Sequence, residues 1–315
     1  MDKELSALKQ FSDAFGHSIE YSQGGGANAS AKVGYLMIIK ASGYTLADMM
    51  VKNGYVKLRY QPIADIYTRE NSITEDEARR ITRSALQADN QLKPSIETGF
   101  HSFLNTFVVH LHPIYLIAIL CLENCEKILA ELYQGMSFAV ADYQRPGHYL
   151  SREIARALRG KETTGTQIIF LKNHGLIVSD ADSDTCLKIS LDICGRAKQY
   201  VLRKTGEAAV SYSGLAPNGD GFLGCEYKGE SEYLYPDAVV FLHDIKEKMG
   251  PYAIQDGRVR YNLRYEQAKN IDAVLFAHTV IANLVQKLGP YHTLSAWDVE
   301  ELIDMEEEKY RKQLV

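Results

Sequence analysis

Hydrophobic positions along the first two thirds of the chain change repeatedly between helical spacing and short apolar runs. Helical spacing of Leu and Phe side chains predicts a first helix, and Pro113 and a Thr74–Glu77 capping box open later ones. The predicted helices cover residues 4–15, 74 to about 90, 113–122 and 183–204. The predicted strands are Tyr35–Lys40, Phe107–His112 and Thr166–Leu171. This alternation indicates an α/β fold up to about residue 204.

The pattern changes after residue 204. Residues 205–232 are rich in Gly, Ser and polar side chains, which is typical of a linker or an excursion. Two further strands are predicted at Asp237–Leu242 and Arg258–Tyr261, the second after an Asp-Gly turn. Helices over 264–287 and 296–313 close the chain, the last one capped by Ser295 with Asp298. We therefore divide the chain into a domain over 1–205 and a C-terminal extension over 206–315.

Composition and charge narrow the class of protein. Hydrophobic residues make up 46% and charged residues 24%, with a net charge of −5 and an isoelectric point near 6.0. These values and the lack of a long basic stretch give no reason to expect nucleic acid as a partner. The longest apolar run, Ile114–Leu122, is about half of a bilayer span, so no membrane partner is expected.

Cysteine usage and the N-terminus indicate a cytoplasmic protein. The start of the sequence is charged and helical in pattern, unlike a signal peptide. The five cysteines are an odd number without the spacing of metal ligands, and we interpret them as buried small hydrophobes in a reducing cytosol. They are Cys121, Cys125, Cys186, Cys194 and Cys225.

Three histidines form the first candidate site. His110 and His112 are two apart in a predicted strand, so their side chains point to one face while Leu111 turns into the core. His174 ends a later strand in Asn-His-Gly, where glycine permits a sharp turn. Three imidazoles with an open position suit a catalytic zinc ion. Taken alone, the His-x-His pair also fits two structural strand histidines.

A carboxylate and a glycine-rich loop are the other candidates. Glu97 opens a short predicted helix, where an anion is stabilised, and His101 one turn later could support it. A plain helix-terminal carboxylate is the alternative. The Gly24–Ser30 loop offers backbone N–H groups that suit an anion such as phosphate, or it is a mere tight turn. It lacks the Gly-Lys-Ser/Thr of a Walker loop and precedes a strand, unlike a dinucleotide-binding loop.

Together these segments resemble the class II aldolase/adducin superfamily over about residues 5–205. Five motifs occur in its order: Gly-Gly-Gly-Ala-Asn-Ala-Ser, Lys-Ala-Ser-Gly, Pro-Ser-Ile-Glu, Val-Val-His-Leu-His-Pro and Lys-Asn-His-Gly-Leu. L-fuculose-1-phosphate and L-rhamnulose-1-phosphate aldolases carry the same series. The wording of the first two motifs is most similar to the aldolase half of bifunctional rhamnulose-1-phosphate aldolase/alcohol dehydrogenases, without their dehydrogenase half.

The resemblance implies roles for individual residues. It makes His110, His112 and His174 the ligands of one Zn²⁺ ion per chain and Glu97 the catalytic carboxylate. It implies that Tyr143 reaches the active site of a neighbouring subunit. It assigns the substrate phosphate to four positions, Asn28, Ser42, Gly43 and Ser95.

The motif carrying Glu97 departs from the aldolase pattern. Ile96 stands where the fuculose aldolase has a second phosphate-binding serine, so the anion pocket is altered. The substrate then differs in its phosphate or lacks one. Lys32 and Lys40 could compensate, or they are surface lysines.

The function that the resemblance implies is a zinc-dependent aldolase. It would cleave or form a C–C bond in a phosphorylated ketose or keto acid through a metal-stabilised enediolate, with Glu97 moving the proton. Epimerase, decarboxylase or dehydratase activity at the same site is the alternative, and a non-catalytic adducin-like binding module is a second one. The implied fold has three layers, with a central, mostly antiparallel sheet flanked by helices. The implied assembly is a homotetramer with active sites between subunits.

Overall fold

The structure, a computed structural model, describes residues 1–69, 73–87, 91–161, 165–229, 232–247 and 250–305. The helices in these residues are α1 Asp2–Phe15, α2 Asp48–Val51, α3 Gln61–Thr68, α4 Glu75–Ala85, α5 Thr98–Phe103, α6 Ile114–Leu120, α7 Cys125–Leu132, α8 His148–Ala157, α9 Ser183–Thr205, α10 Pro236–Lys246, α11 Tyr265–Leu288 and α12 Ala296–Asp304. The strands are β1 Asn28–Val33, β2 Leu36–Lys40, β3 Tyr55–Arg59, β4 Phe107–Leu111, β5 Ala139–Ala141, β6 Gln167–Leu171, β7 Gly175–Asp180, β8 Ala216–Asn218, β9 Gly221–Glu226, β10 Tyr252–Gln255 and β11 Arg258–Tyr261.

Seven strands form the main sheet, in the order β3-β2-β1-β4-β7-β6-β5. Every neighbouring pair is antiparallel except β5 and β6, which are parallel. Helices lie on both faces. Along the central strand β4, Phe107, Val109 and Leu111 join one apolar cluster with α1, α6 and α9, whereas Val108 joins another with α5 and α8. This confirms the predicted sheet and its flanking helices.

The C-terminal region shares the core of the main sheet. A smaller sheet in the order β10-β11-β9-β8 packs on α11, and α11 packs on α6 and α10. Buried side chains of α10 and α11, such as Phe241 and Val274, belong to the same apolar cluster as Leu111. The division at residue 205 stays a prediction, because the two parts contact each other through this common core.

One predicted strand is wrong. Asp237–Leu242 belongs to the helix α10, which begins at Pro236. Every residue from Pro236 to Leu242 is buried. The segment therefore has no polar face to show helical spacing, and a short apolar run does not distinguish a buried helix from a strand. Proline in the first turn of a helix was the available signal, because it leaves no backbone donor unsatisfied there.

The other predicted elements form and differ mainly at their ends, whereas the strands β1, β3, β5 and β7 and the helices α2, α3, α7 and α8 were not predicted. The Thr74–Glu77 capping box forms, but α4 ends at Ala85, short of the predicted end, and residues 88–90 lie outside the described residues. The Ser295–Asp298 cap also forms, whereas the predicted continuation over 306–313 lies outside them. Strands β8 and β9 occupy part of the segment that was interpreted as a linker or excursion. The hairpin of β10 and β11 turns at Asp256-Gly257, as predicted.

Burial of the cysteines largely agrees with the prediction. All five are free thiols, four are buried, and Cys225 is half-buried. Helix α11 is long and apolar enough to cross a bilayer, which the sequence analysis did not note, and 50% of its apolar window is buried inside the protein. A core helix meets the same criteria, so this finding is weak evidence for a membrane span.

Candidate metal centre

The three histidines meet at one end of the central strands. His110 lies in β4, His112 directly follows it, and His174 lies in the turn between β6 and β7. One ring nitrogen from each lies within 4.8 Å of the others, and the three side chains are 0–2% exposed. The Nε2 atoms of His110 and His112 are 3.0 Å apart. The structure thus brings together the three predicted ligands, although His174 lies far from the other two in sequence.

Local geometry explains how the turn carries His174. Asn173 has a left-handed backbone with φ of 52°, and its amide donates to the carbonyls of Leu234 and His292 at 3.0 Å each. A Cβ on Gly175 would lie 2.2 Å from the Leu111 carbonyl oxygen. Glycine is therefore required where the turn passes the end of β4. Because Leu234 and His292 belong to the C-terminal region, that region helps to fix this turn.

Hydrogen bonds set the orientation of two imidazoles. His110 donates Nδ1–H to the Leu176 carbonyl at 3.0 Å, which leaves Nε2 with its lone pair. Burial lowers the pKa of His110 to about 4, although the Glu97 carboxylate acts in the opposite direction. His112 directs Nδ1 at the Asp237 carboxylate, 2.7 Å away. In both rings Nε2 is the nitrogen that faces the centre of the cluster.

Glu97 completes the cluster as a fourth, anionic group. Its Oε2 atom lies 3.4 Å from Nε2 of His110, and its Oε1 atom lies 3.4 Å from Nε2 of His174. A tetrahedral zinc site with bonds of about 2.0–2.2 Å places neighbouring ligand atoms roughly 3.3 Å apart. Within the described residues the buried Oε1 atom accepts no hydrogen bond. Facing lone pairs on imidazoles beside an anionic oxygen repel one another unless a cation lies between them, so these residues fit a divalent metal ion.

A chain of buried polar groups orients Glu97. The Asn28 amide donates to Glu97 Oε2 at 2.7 Å, so the Asn28 carbonyl oxygen accepts Nε2–H of His101. His101 Nδ1 then accepts the Ser30 hydroxyl proton at 2.7 Å. Burial lowers the pKa of His101 well below its usual value, which keeps the ring neutral as this relay requires. Asn28 therefore orients the Glu97 carboxylate directly, and His101 orients it through its hydrogen bond to Asn28.

The register of the sheet accounts for this chain. Asn28 lies directly opposite His110 across β1 and β4, and Ser30 lies opposite Val108. Side chains at opposed positions of neighbouring strands share a face, so Asn28 is brought beside the ligands. The structure places the Asn28 amide on Glu97. The role of Asn28 in binding a substrate phosphate, which the resemblance implies, stays a prediction.

Of the remaining predicted phosphate positions, Ser95 contacts Glu97 through its hydroxyl oxygen, which accepts the Glu97 N–H at 3.3 Å. Ser42 and Ser95 are held by backbone bonds, from Ser42 N to the Lys93 carbonyl and from Ser95 N to the Lys40 carbonyl. Gly43, which follows Ser42, has a left-handed backbone with φ of 81°. Both serines and Ile96 line a cleft of about 920 Å³. Its lining also contains basic side chains that sequence analysis did not select, namely Arg79, Arg83 and Lys93.

The two lysines that were considered as compensation have other contacts. Buried Lys40 donates Nζ to the Tyr44 carbonyl at 2.6 Å and to the Gly25 carbonyl at 3.3 Å. Lys32 donates to the carbonyls of Leu104 and Asn105, and burial lowers its pKa to about 7. Neither is an exposed surface lysine, and neither lines the cleft described above.

Tyr143 lies in the loop after β5 and is half-buried against the main core. Two residues later, Arg145 forms ion pairs with Glu75 at 2.7 Å and Glu301 at 3.1 Å. These pairs fasten the loop to α4 and α12 of the same chain. The role of Tyr143 at a neighbouring site stays a prediction.

Asp237 is the residue of the site that sequence analysis missed. It was assigned to a strand outside the resemblance, so no motif pointed to it. A carboxylate at the start of an apolar run, next to Pro236, was the signal in the sequence. A buried carboxylate requires a partner, and that partner is His112.

Comparisons with known proteins identify the family of the chain. The profile of the class II aldolase and adducin N-terminal domain family matches residues 15–201, more than half of the chain. "Uncharacterized oxidoreductase YuxG" of Bacillus subtilis (strain 168) is 30% identical over 167 residues, 53% of this chain and 24% of that protein. The chain therefore aligns with about a quarter of the length of this curated relative.

One solved structure shows the same fold, and a second is similar to the chain with a lower TM-score. The N-terminal class II aldolase domain of a conserved protein from Thermoplasma acidophilum is 20% identical, with a TM-score of 0.53 over 64% of this chain and 92% of that one. An L-fuculose 1-phosphate aldolase is 18% identical, with a TM-score of 0.44 over 67% of this chain and 90% of that one. From the extent of the profile match, the chain belongs to the class II aldolase and adducin N-terminal domain family.

Proposed function

We propose that this chain is a zinc-dependent aldolase that cleaves or forms a C–C bond in a phosphorylated ketose or keto acid. The observation that carries the proposal is the placement of Glu97. A buried carboxylate has one oxygen held by Asn28 and the other without a hydrogen bond in the described residues, next to three convergent imidazoles. Metal-assisted carbanion chemistry needs such a base close to the ligands.

The residues of the chain divide the work of the reaction. When bound, the metal ion supplies a Lewis acid that polarises the substrate carbonyl. Glu97 Oε1 takes the proton from, or returns it to, the nucleophilic carbon, while Asn28 keeps Oε2 in place. Burial of Glu97, at 5% exposure, excludes bulk water and strengthens these electrostatic interactions.

The cleft beside Glu97 supports an anionic substrate. Ser42 and Ser95 offer hydroxyl groups, and three basic side chains line the same cleft. Arg79 forms an ion pair with Asp76 at 3.1 Å, so the charge of Arg79 is partly compensated. Ile96 keeps part of the lining apolar, which favours a substrate whose anion is bound by few hydroxyl donors.

The sister reactions need the same ligands. Epimerisation, decarboxylation and dehydration of a sugar derivative also use a metal ion and a nearby carboxylate, so product identity must separate them from aldol cleavage. A buried anion is costly unless it is paired or coordinates a metal ion, so the carboxylate directed at the histidines favours a metal-dependent enzyme over a binding module without catalysis.

The proposal is tested by metal analysis and product analysis together. We expect about one zinc ion per purified chain and cleavage products from a panel of phosphorylated ketoses and keto acids. His110→Ala and His174→Ala should lose both metal and activity, whereas His17→Ala, an exposed histidine, should keep both. Full metal occupancy in both ligand variants would overturn the ligand assignment. If only isomerised or decarboxylated products formed, the proposed aldolase activity would be wrong and a sister reaction would take its place.

A further inference from the structure

We propose that Asp237, from the C-terminal region, is a positioning residue of the metal centre. Its carboxylate accepts Nδ1–H of His112 and so holds the ring with Nε2 toward the other two histidines. The inference rests on the proposed metal-dependent function. It assigns to the C-terminal region a part in the site that residues 15–201, the extent of the family match, do not contain.

Distance and burial support a strong, specific contact. Asp237 Oδ2 lies 2.7 Å from His112 Nδ1, and the two residues are 1% and 2% exposed. A carboxylate only accepts hydrogen bonds, so the proton of a neutral imidazole must be on Nδ1. Metal-bound histidines commonly donate their second nitrogen to a carboxylate or carbonyl, which fixes the tautomer and increases ligand basicity.

The first turn of α10 fixes the carboxylate. Pro236 restricts the backbone at the start of the helix, and Asp237 follows it, where the helix N-terminus favours an anion. Every residue from Pro236 to Leu242 is buried, and α10 packs on α11 and α12. The helix therefore cannot shift its first turn without disturbing the core that the two parts of the chain share.

The glycine loop leaves room for this pair. A Cβ on Gly26 would lie 2.1 Å from Asp237 Oδ2 and 2.6 Å from His112 Nδ1. A Cβ on Gly24 would lie 3.1 Å from the Val274 side chain and 3.6 Å from that of Phe241. The loop that was interpreted as an anion site or a tight turn is buried against the C-terminal region. Its glycines let the chain pass close to the hydrogen-bonded pair of His112 and Asp237.

The candidate ligands His110 and His112 differ in the group that accepts the hydrogen bond from Nδ1. His110 donates Nδ1–H to the backbone carbonyl of Leu176, which belongs to the family domain. His112 has the equivalent bond to a charged side chain separated from it by 125 positions. His112 thus donates to a charged acceptor, whereas His110 donates to a neutral carbonyl. Loss of Asp237 removes both an orienting contact and an anion near the cation.

The experiment measures zinc affinity by competition with a chelator. Asp237→Asn keeps the size of the side chain but removes its charge. We expect zinc binding about 10- to 100-fold weaker than in the wild-type protein. The matched control is Asp272→Asn, since Asp272 is a buried carboxylate of α11 that accepts from Cys225 N and Tyr261 instead of from the site. Its zinc affinity should equal the wild-type value even where its thermal stability is lower.

A proton NMR measurement on the zinc-loaded wild-type protein gives a second test that needs no folded variant. The Nδ1 proton of His112 should resonate far downfield and exchange slowly, as expected for a bond to a buried carboxylate. Equal zinc affinity of Asp237→Asn and wild type, or a His112 Nδ1 proton in rapid exchange, would overturn the inference alone. A wild-type chain that binds no metal would overturn the proposed function with it.

Discussion

At the scale of single residues, the two oxygens of Glu97 have different surroundings. Oε2 accepts the Asn28 amide proton at 2.7 Å, and Oε1 accepts no hydrogen bond from the described residues. One oxygen therefore anchors the carboxylate while the other is available for proton transfer. The anchoring amide is itself held by His101, so the position of the base depends on a relay of neutral groups.

Replacement of Glu97 by glutamine is expected to slow turnover strongly and to leave the metal bound. Gln keeps the shape and the contact with Asn28 but has no basic oxygen, and general acid/base catalysis is worth about 10²- to 10⁴-fold. The measurement is kcat together with zinc content. Glu20→Gln is the control, because Glu20 pairs with Lys198 and is not part of the metal centre. Near-normal turnover of Glu97→Gln would mean that another group moves the proton.

At the scale of elements, glycines decide which segments can approach the histidines. Gly26 and Gly175 both lie where a Cβ would collide with neighbouring oxygen atoms, at 2.1 and 2.2 Å respectively. By contrast, a Cβ on Gly195 in α9 would meet nothing within 4 Å. The same residue type thus has a steric role in the loops and none in the long helix.

Alanine at Gly26 and alanine at Gly195 should have opposite effects on the free energy of unfolding. Gly26→Ala forces apart His112 and Asp237, so we expect a loss of roughly 1–3 kcal/mol and weaker zinc binding. Gly195→Ala replaces a helix-interior glycine and should gain roughly 0.5–1 kcal/mol with unchanged zinc binding. Unfolding of the metal-free and zinc-loaded proteins measures both effects. A Gly26→Ala protein with wild-type stability and zinc affinity would contradict the tight passage of the loop.

At the scale of the whole molecule, the assembly concerns Tyr143. Its loop is fastened to the same chain through Arg145, and the ring packs against the main core. The family resemblance nevertheless implies that the loop serves a neighbouring subunit. Loops that connect elements of a sheet lie at the surface, where they are able to contact another copy.

Subunit mixing tests whether Tyr143 acts at a neighbouring site in a homotetramer. Inactive Tyr143→Phe chains assembled with inactive His110→Ala chains should recover activity, because some sites then combine an intact tyrosine with intact ligands. A mixture of His110→Ala and His174→Ala is the control, since both ligands belong to one chain and no complete site can form. Absence of recovery in verified mixed oligomers would assign Tyr143 to its own subunit's site.

The elements that were predicted have local signals, whereas four strands of the main sheet, β1, β3, β5 and β7, were not predicted. Helical spacing in α1, the capping boxes of α4 and α12, and the apolar runs of β2, β4 and β6 each lie within a few residues. The sheet order and the role of α10 are not local. A fully buried segment loses the polar face that distinguishes a helix from a strand, so Pro236–Lys246 was misassigned.

The sequence by itself determined which residues form the candidate metal centre. The spacing of His110 and His112 on a strand, the turn at His174 and the carboxylate before α5 are properties of short segments. Only the tertiary structure decided what orients those groups. Asn28 is placed by the register of β1 against β4, and Asp237 by the packing of α10 beneath the glycine loop. Contacts between segments far apart in sequence depend on how elements pack, and a single sequence carries no local signal for that packing.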